Sequence, residues 1–157
     1  MASRVGIQFR INTMQITISE STISDFSELI SLYRQLWEKW ECFDEEKLRE
    51  IYEEDINTSR RTYLIAKNEN NIVGICTLVI KDNLHYLKVA IVDELIVDTN
   101  YRNQGIGKML LERAVDIAKE KQCFKIELHS GIKRVDAHRF YESNGFEISS
   151  YYFTKKC

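Results

Sequence analysis

The run from Leu87 to His129 constrains this chain more than any other stretch. "LKVAIVDELIV" (87–97) is apolar and rich in branched residues, and reads as a strand. Residues 105–121, "GIGKMLLERAVDIAKEK", carry helical spacing, and "FKIELH" (124–129) reads as a second strand. A strand, a helix and a strand in that order form a crossover, which joins strands running the same way. The loop before the helix holds Gly105 and Gly107, two of only six glycines in the chain.

The rest of the chain is read against that unit. "MQITISE" (14–20) alternates as a strand. Ile23, Phe26, Ile30, Tyr33, Trp37 and Trp40 step by three and four, one stripe of a helix, with Thr22 and Asp25 placed as a capping box. Leu48, Ile51, Tyr52 and Ile56 mark a second helix with Asp44 as its N-cap. "TYLIAKN" (62–68) and "NIVGICTLVIK" (71–81) read as a hairpin turning through "ENN". "VDAHRFYESN" (135–144) is a short helix stopped at Gly145, and "FEISSYYFT" (146–154) reads as a last strand. The order predicts an α/β or α+β fold with a mixed sheet, antiparallel over 62–97 and parallel after it. Residues 14–157 read as one domain. Residues 1–13 read as an extension without regular structure, an upstream start or an expression remnant.

A strand, a glycine loop and a helix start make an anion site. The first N–H groups of a helix lack internal partners, and the helix dipole adds roughly half a positive charge there. Glycine lets backbone approach a phosphate closely. "RNQGIGK" therefore reads as a phosphate clamp, with Arg102 and Lys108 as cationic help. Two familiar clamps fail. The P-loop needs glycine where Arg102 stands and Ser or Thr where Met109 stands; the dinucleotide fingerprint needs glycine where Leu110 stands. A plain strand-to-helix turn stays open on these residues alone.

Arg102-Asn103-Gln104-Gly105-Ile106-Gly107 resembles the R/Q-x-x-G-x-G/A motif of the GNAT superfamily, the Gcn5-related N-acetyltransferases. "AHRFYESNGFE" resembles that family's later helix, and the element order from Met14 to Phe153 agrees. The resemblance implies a GNAT fold. Its mixed, mostly antiparallel sheet would have about six to seven strands flanked by four helices, with splayed parallel strands at the cofactor site. It implies acetyl-CoA as co-substrate and no metal. The pyrophosphate would sit on the N–H groups of residues 102–107, and the pantetheine arm on the main chain of Leu95, Ile96 and Val97.

Acetyl transfer needs a neutral amine, a base to take its proton and an acid for the leaving thiolate. Glu94, a carboxylate inside an apolar strand, is the candidate base; strand alternation sets Asp93 on the opposite face. In several family members a carboxylate at this position, just before the L-x-V segment, takes that role. In others it lies three residues earlier, where this chain has Ile91. The resemblance makes Tyr141 the acid, near the CoA sulfur. A binding-only Glu94 and a core Tyr141 stay open. Arg134 stands where relatives often have Asn, His138 reads as a hydrogen-bonded histidine, and Cys123 reads as core rather than an acyl carrier.

Net charge is −2 and the sequence pI about 6.0, which argues against general nucleic-acid binding. Cys42, Cys76, Cys123 and Cys157 form no CxxC pair and read as free thiols of a cytoplasmic protein; neither they nor the three histidines show metal-ligand spacing. No membrane span is expected. "DEEKLREIYEED" (44–55) holds seven acids against two bases and predicts a negative wall for a small cationic amine, with Trp37, Trp40 and Tyr52 offering ring faces. Two alternatives remain, a lysine or N-terminal protein acetyltransferase and a non-catalytic acyl-CoA-binding module. Relatives often dimerise, and the oligomeric state stays open.

Overall fold

The computed structural model describes residues 6–11, 14–36 and 44–156. The strands are β1 (Ile7–Ile11), β2 (Met14–Glu20), β3 (Thr62–Asn68), β4 (Asn71–Asn83), β5 (Leu87–Val97) and β6 (Lys125–Leu128). The helices are α1 (Phe26–Leu36), α2 (Glu45–Thr58), α3 (Ile106–Glu120) and α4 (Val135–Ser143). The six strands form one sheet in the order β1-β2-β3-β4-β5-β6. β1 to β5 pair antiparallel in succession. β6 follows the α3 crossover, and the Phe124 N–H donates to the Lys88 carbonyl at 2.9 Å, so β6 starts beside the beginning of β5. The chain divides into two units, residues 1–127 and 128–157.

The sequence places each element for visible reasons. Asp44 accepts the Lys47 N–H at 3.1 Å and caps α2. The Asp25 carboxylate accepts both the Thr22 N–H at 2.7 Å and the Thr22 hydroxyl at 2.9 Å, the acid half of the expected capping box. The β3–β4 hairpin closes on the Asn68/Asn71 pair, with Glu69 at φ 55°. β3 is buried from Tyr63 to Ala66 without alternation, as a strand covered on both faces must be.

One face carries α1 and α2. Phe26, Leu29, Ile30, Leu32 and Tyr52 form a cluster with Tyr63, Ile65, Ile75 and Ile96 of the sheet. The other face carries α3: a Cβ at Gly74 would stand 3.0 Å from Leu110 Cδ1 and 3.2 Å from Ile106 Cγ2. Gly74 and Ile75 are adjacent in β4, so their sides are opposite. At Gly74, then, α3 seats closely on the sheet.

Two expectations change. Residues 7–11, read as part of an irregular extension, form β1 and pair with β2 from Ile7↔Ile18 to Ile11↔Met14. The segment supplies Ile7, Phe9 and Ile11 at period two, too short a run to stand out without its neighbour. The expected strand at 146–154 does not form: residues 146–156 carry no regular structure. Alternation fixes which side chains a strand would turn to each face. It supplies no ladder partner, and without one the backbone is not a strand. Trp37, Trp40, Cys42 and Cys157 lie outside the described residues.

Candidate active site

The glycine loop is built between β5 and α3. The Asp98 N–H donates to the Val73 carbonyl at 2.9 Å, and Asp98 Oδ1 accepts the Asn100 N–H at 2.8 Å. Arg102 Nε donates to the Val97 carbonyl at 3.2 Å, and Gln104 Nε2 to the Asn100 carbonyl at 3.4 Å. Asn103 has φ 60° and Gly105 φ 80°, both left-handed, which turns the chain sharply into α3. Gly105 is the N-cap, and its carbonyl accepts the Met109 N–H at 3.1 Å. The N–H groups of Ile106, Gly107 and Lys108 therefore occupy the first turn, where a helix offers its own chain no acceptor. Ile106 is buried and pins that turn to the sheet. Lys108 is exposed and 3.8 Å from Glu112.

Leu95, Ile96 and Val97 pair with Cys76, Ile75 and Gly74 of β4. The register shifts just before them. Thr77 pairs with Glu94, but Leu78 pairs with Val92, leaving Asp93 as one extra residue on β5. This β-bulge breaks the expected alternation. Asp93 and Glu94 are not simply divided between two faces; both bear on one polar cluster on the α1/α2 side. Asp93 Oδ2 meets Arg61 Nη2 at 2.9 Å, and Arg61 Nη1 lies 3.7 Å from Asp55 Oδ2. The Tyr63 hydroxyl donates to Asp55 Oδ2 at 2.8 Å.

Glu94 sits half-buried in this cluster. Its N–H donates to Thr77 Oγ1 at 2.9 Å, the Thr77 hydroxyl donates back to Glu94 Oε2, and the Tyr33 hydroxyl reaches the same oxygen at 3.5 Å. Burial pushes the Glu94 carboxyl above the usual carboxylate range, and Asp93 adds to this; Thr77, Arg61 and Tyr33 pull the other way. Burial and then Glu94 raise the Tyr33 phenol well above its ordinary value. Burial pushes the Cys76 thiol up to about 12, with Glu94 contributing, so it is inert at neutral pH.

Tyr141 belongs to the C-terminal unit, on α4. Its ring centroid is 5.4 Å from Phe140 and 6.1 Å from Phe146, and its carbonyl accepts the Asn144 and Phe146 N–H groups as the helix ends. Gly145 follows at φ 83°, the stop that the sequence predicts. His138 Nε2 lies 3.0 Å from the Gly131 carbonyl, a local hydrogen bond. Arg134 sits at the N-cap of α4 without a side-chain cap. Cys123 is half-buried, and burial raises its thiol.

The acidic wall is thinner than its sequence. Asp55 is buried and committed to Tyr63 and Arg61, while Glu45 and Glu54 pair with Arg34 and Arg60. Tyr52 is buried too: its ring packs on Phe26 and Tyr63, and its hydroxyl bonds Ser21 and the Thr22 carbonyl. It has no face to offer an acceptor. Thr77, Arg61 and Gln35 were not legible as site residues. Thr77 alone left a trace, as the polar break in the apolar run "IVGICTLVI".

The profile of the acetyltransferase (GNAT) family matches residues 29–146. This chain belongs to that family. The aminoalkylphosphonate N-acetyltransferase of Salmonella typhimurium is 36% identical over 94 residues, covering 59% of this chain and 61% of that enzyme. The chain thus spans less than two thirds of the first curated relatives that it matches. A transcriptional regulator from Bacillus halodurans shares the fold with a TM-score of 0.82 and 27% identity, covering 90% of this chain and 99% of that one. An aminoglycoside acetyltransferase from a soil metagenomic sample, solved with trehalose, superposes with a TM-score of 0.73 at 25% identity, covering 90% and 97%. Among the described residues no group of three or more His, Cys, Asp and Glu side chains is arranged to hold a metal ion, and no helix is long and apolar enough to cross a membrane.

Proposed function

We propose that this GNAT protein is an acetyl-CoA-dependent N-acetyltransferase acting on a small cationic amine by direct transfer in a ternary complex. The observation that carries the reading is the sequence of parts along β5. A carboxylate with raised proton affinity at Glu94 is followed within a dozen residues by the left-handed Gly105 turn and the open first turn of α3. The N–H groups of residues 102–107 bind the pyrophosphate, with Arg102 and Lys108 adding charge. The main chain of Leu95, Ile96 and Val97 takes the pantetheine arm. β6 is consistent with this: it has four residues against eleven in β5, and the Phe124 N–H just before it bonds the Lys88 carbonyl near the start of β5.

In the reaction the acceptor amine, in its neutral form, attacks the thioester carbonyl carbon through its lone pair while Glu94 takes one of its N–H protons. The C–S bond breaks, sulfur leaves with the electron pair, and Tyr141 protonates it. The products are an amide and CoA. A base whose proton affinity lies nearer the working pH transfers protons more effectively than an ordinary carboxylate.

The charges near Glu94 favour a cationic acceptor. Three carboxylates, Asp55, Asp93 and Glu94, face one guanidinium, Arg61. The likeness to an aminoglycoside acetyltransferase supports the same class. An amine with an anionic tail is the second reading, favoured by the likeness to the aminoalkylphosphonate enzyme. Arg61 is already held between Asp93 and Asp55, which weakens its claim as the anion's partner. The test is thiol release from acetyl-CoA with a panel of polyamines, aminoglycosides, aminoalkylphosphonates and lysine or N-terminal peptides. No release with any amine makes the protein a binding module. Peptides ahead by more than tenfold in kcat/KM make it a protein acetyltransferase.

A further inference from the structure

Two hydroxyls from different elements converge on one oxygen of the Glu94 carboxylate. Thr77 is fully buried and sits opposite Glu94 in the β4/β5 ladder, at the bulge. Its oxygen accepts the Glu94 N–H at 2.9 Å, which directs its single proton toward Glu94 Oε2. Tyr33 approaches Oε2 from α1 at 3.5 Å. We infer that Thr77 is a positioning residue that gives the two oxygens of Glu94 separate tasks: Oε2 is held, and Oε1 receives the proton of the acceptor amine.

The inference rests on Glu94 being the base. Protonation at Oε2 would point an O–H at two groups that are already donating, so Oε1 is the more basic oxygen. As the C–N bond forms, Oε1 gains the amine proton and the C–S electrons leave with sulfur. Thr77 and Tyr33 neither gain nor lose a proton. The titratable groups facing the carboxylate are Tyr33 from α1, Cys76 from β4, Asp93 from β5 and Arg61 ahead of β3. Burial and Asp93 raise its proton affinity, whereas the Thr77 hydroxyl lowers it. Removing that hydroxyl therefore moves the Glu94 titration to higher pH. Thr77 could instead be a buried hydroxyl satisfied by the backbone alone; such a residue would leave the titration where it is.

Thr77→Val keeps the shape and removes the hydroxyl, while Thr77→Ser restores it. The readouts are the pH profile of kcat with the best amine of the panel, the KM for acetyl-CoA, and the Glu94 carboxyl titration by carbon-13 NMR. The Val variant is expected to lose about tenfold in kcat at pH 7, the scale of one hydrogen bond to a charged group. KM for acetyl-CoA stays unchanged, and the kinetic acid limb and the NMR titration both move to higher pH. Ser restores both. An unmoved NMR titration in folded Thr77→Val overturns the proposal. A moved NMR titration with an unmoved kinetic limb overturns Glu94 as the base, and with it the task given to Oε1. If the Val variant does not fold, Thr77→Ala removes the same hydroxyl with a smaller side chain; it should move the titration the same way, and no movement there overturns the proposal.

Discussion

Gln35 on α1 holds Asp98 at the end of β5: its Nε2 donates to Asp98 Oδ2 at 2.8 Å, and its Oε1 accepts the neighbouring Thr99 N–H at 3.2 Å. A side chain from α1 thus grips the root of the glycine loop. The grip holds the Asp98 carboxyl below its ordinary range, Gln35 contributing most and Asn100 next. Gln35→Ala is predicted to weaken CoA binding by about 2- to 10-fold, the scale of one net hydrogen bond. kcat at saturating acetyl-CoA should barely change. Calorimetric titration with CoA checks the first and steady-state kinetics the second.

Gly107 allows a test in which fold and function respond with opposite signs. A glutamate there enters the first turn of α3, where negative charge is favourable by about 0.3–1 kcal/mol. The same carboxylate would occupy the proposed pyrophosphate site. Gly107→Glu should keep or raise Tm while CoA affinity drops by 100-fold or more. Gly105 is the poorer probe, because its φ of 80° makes any β-branched replacement strained before a ligand is considered. Intact CoA affinity in Gly107→Glu would remove the pyrophosphate from this helix end.

Glu94→Gln should be more stable and far less active. The folded state raises the proton affinity of Glu94, chiefly by burial. Its charged form therefore opposes folding in full at every pH above the raised value, and that opposition fades as pH falls from the raised value to the ordinary carboxylate value and is gone below it. The variant should melt above the parent at pH 7, and the gap should close as the pH is lowered through the carboxylate range. Turnover should fall by about 10²-fold or more. Thermal melts from pH 4 to 8 and rates at pH 7 give both numbers.

Tyr141→Phe keeps the ring that packs near Phe140 and Phe146 and removes only the hydroxyl. Turnover should drop by about 10²-fold, with Tm within a degree or two. Full activity would make the tyrosine a packing residue.

The sequence carried what local periodicity can carry. Residues 62–68 and 87–97 are strands over the ranges that their apolar patterns mark, and Asp44 and Gly145 bound their helices as short-range chemistry requires. The glycine loop was legible because its demand, a left-handed turn before a helix, is met by residues adjacent in the chain. What failed was long-range. Asp55 read as part of a charged wall and Tyr52 as a ring open to an acceptor, yet both are buried by partners on the sheet and at the start of the first helical turn. Tyr33 and Glu94 are 61 positions apart, and only the fold brings them together. The strand at 7–11 needed β2 to exist, and the segment at 146–154 had every local sign of a strand but no ladder.

The extra residue in β5 sets positions 91 and 94 on one face of the sheet. Ile91 pairs with Val79 and Glu94 with Thr77, and Val79 and Thr77 share a face of β4. Positions 91 and 94, an odd number of residues apart, therefore point to the same side, which an unbroken strand would forbid. A carboxylate moved from one to the other shifts along the face by a single two-residue step, roughly 7 Å. Ile91→Glu is thus the change to look for as a second-site suppressor when Glu94→Gln is put under selection for activity.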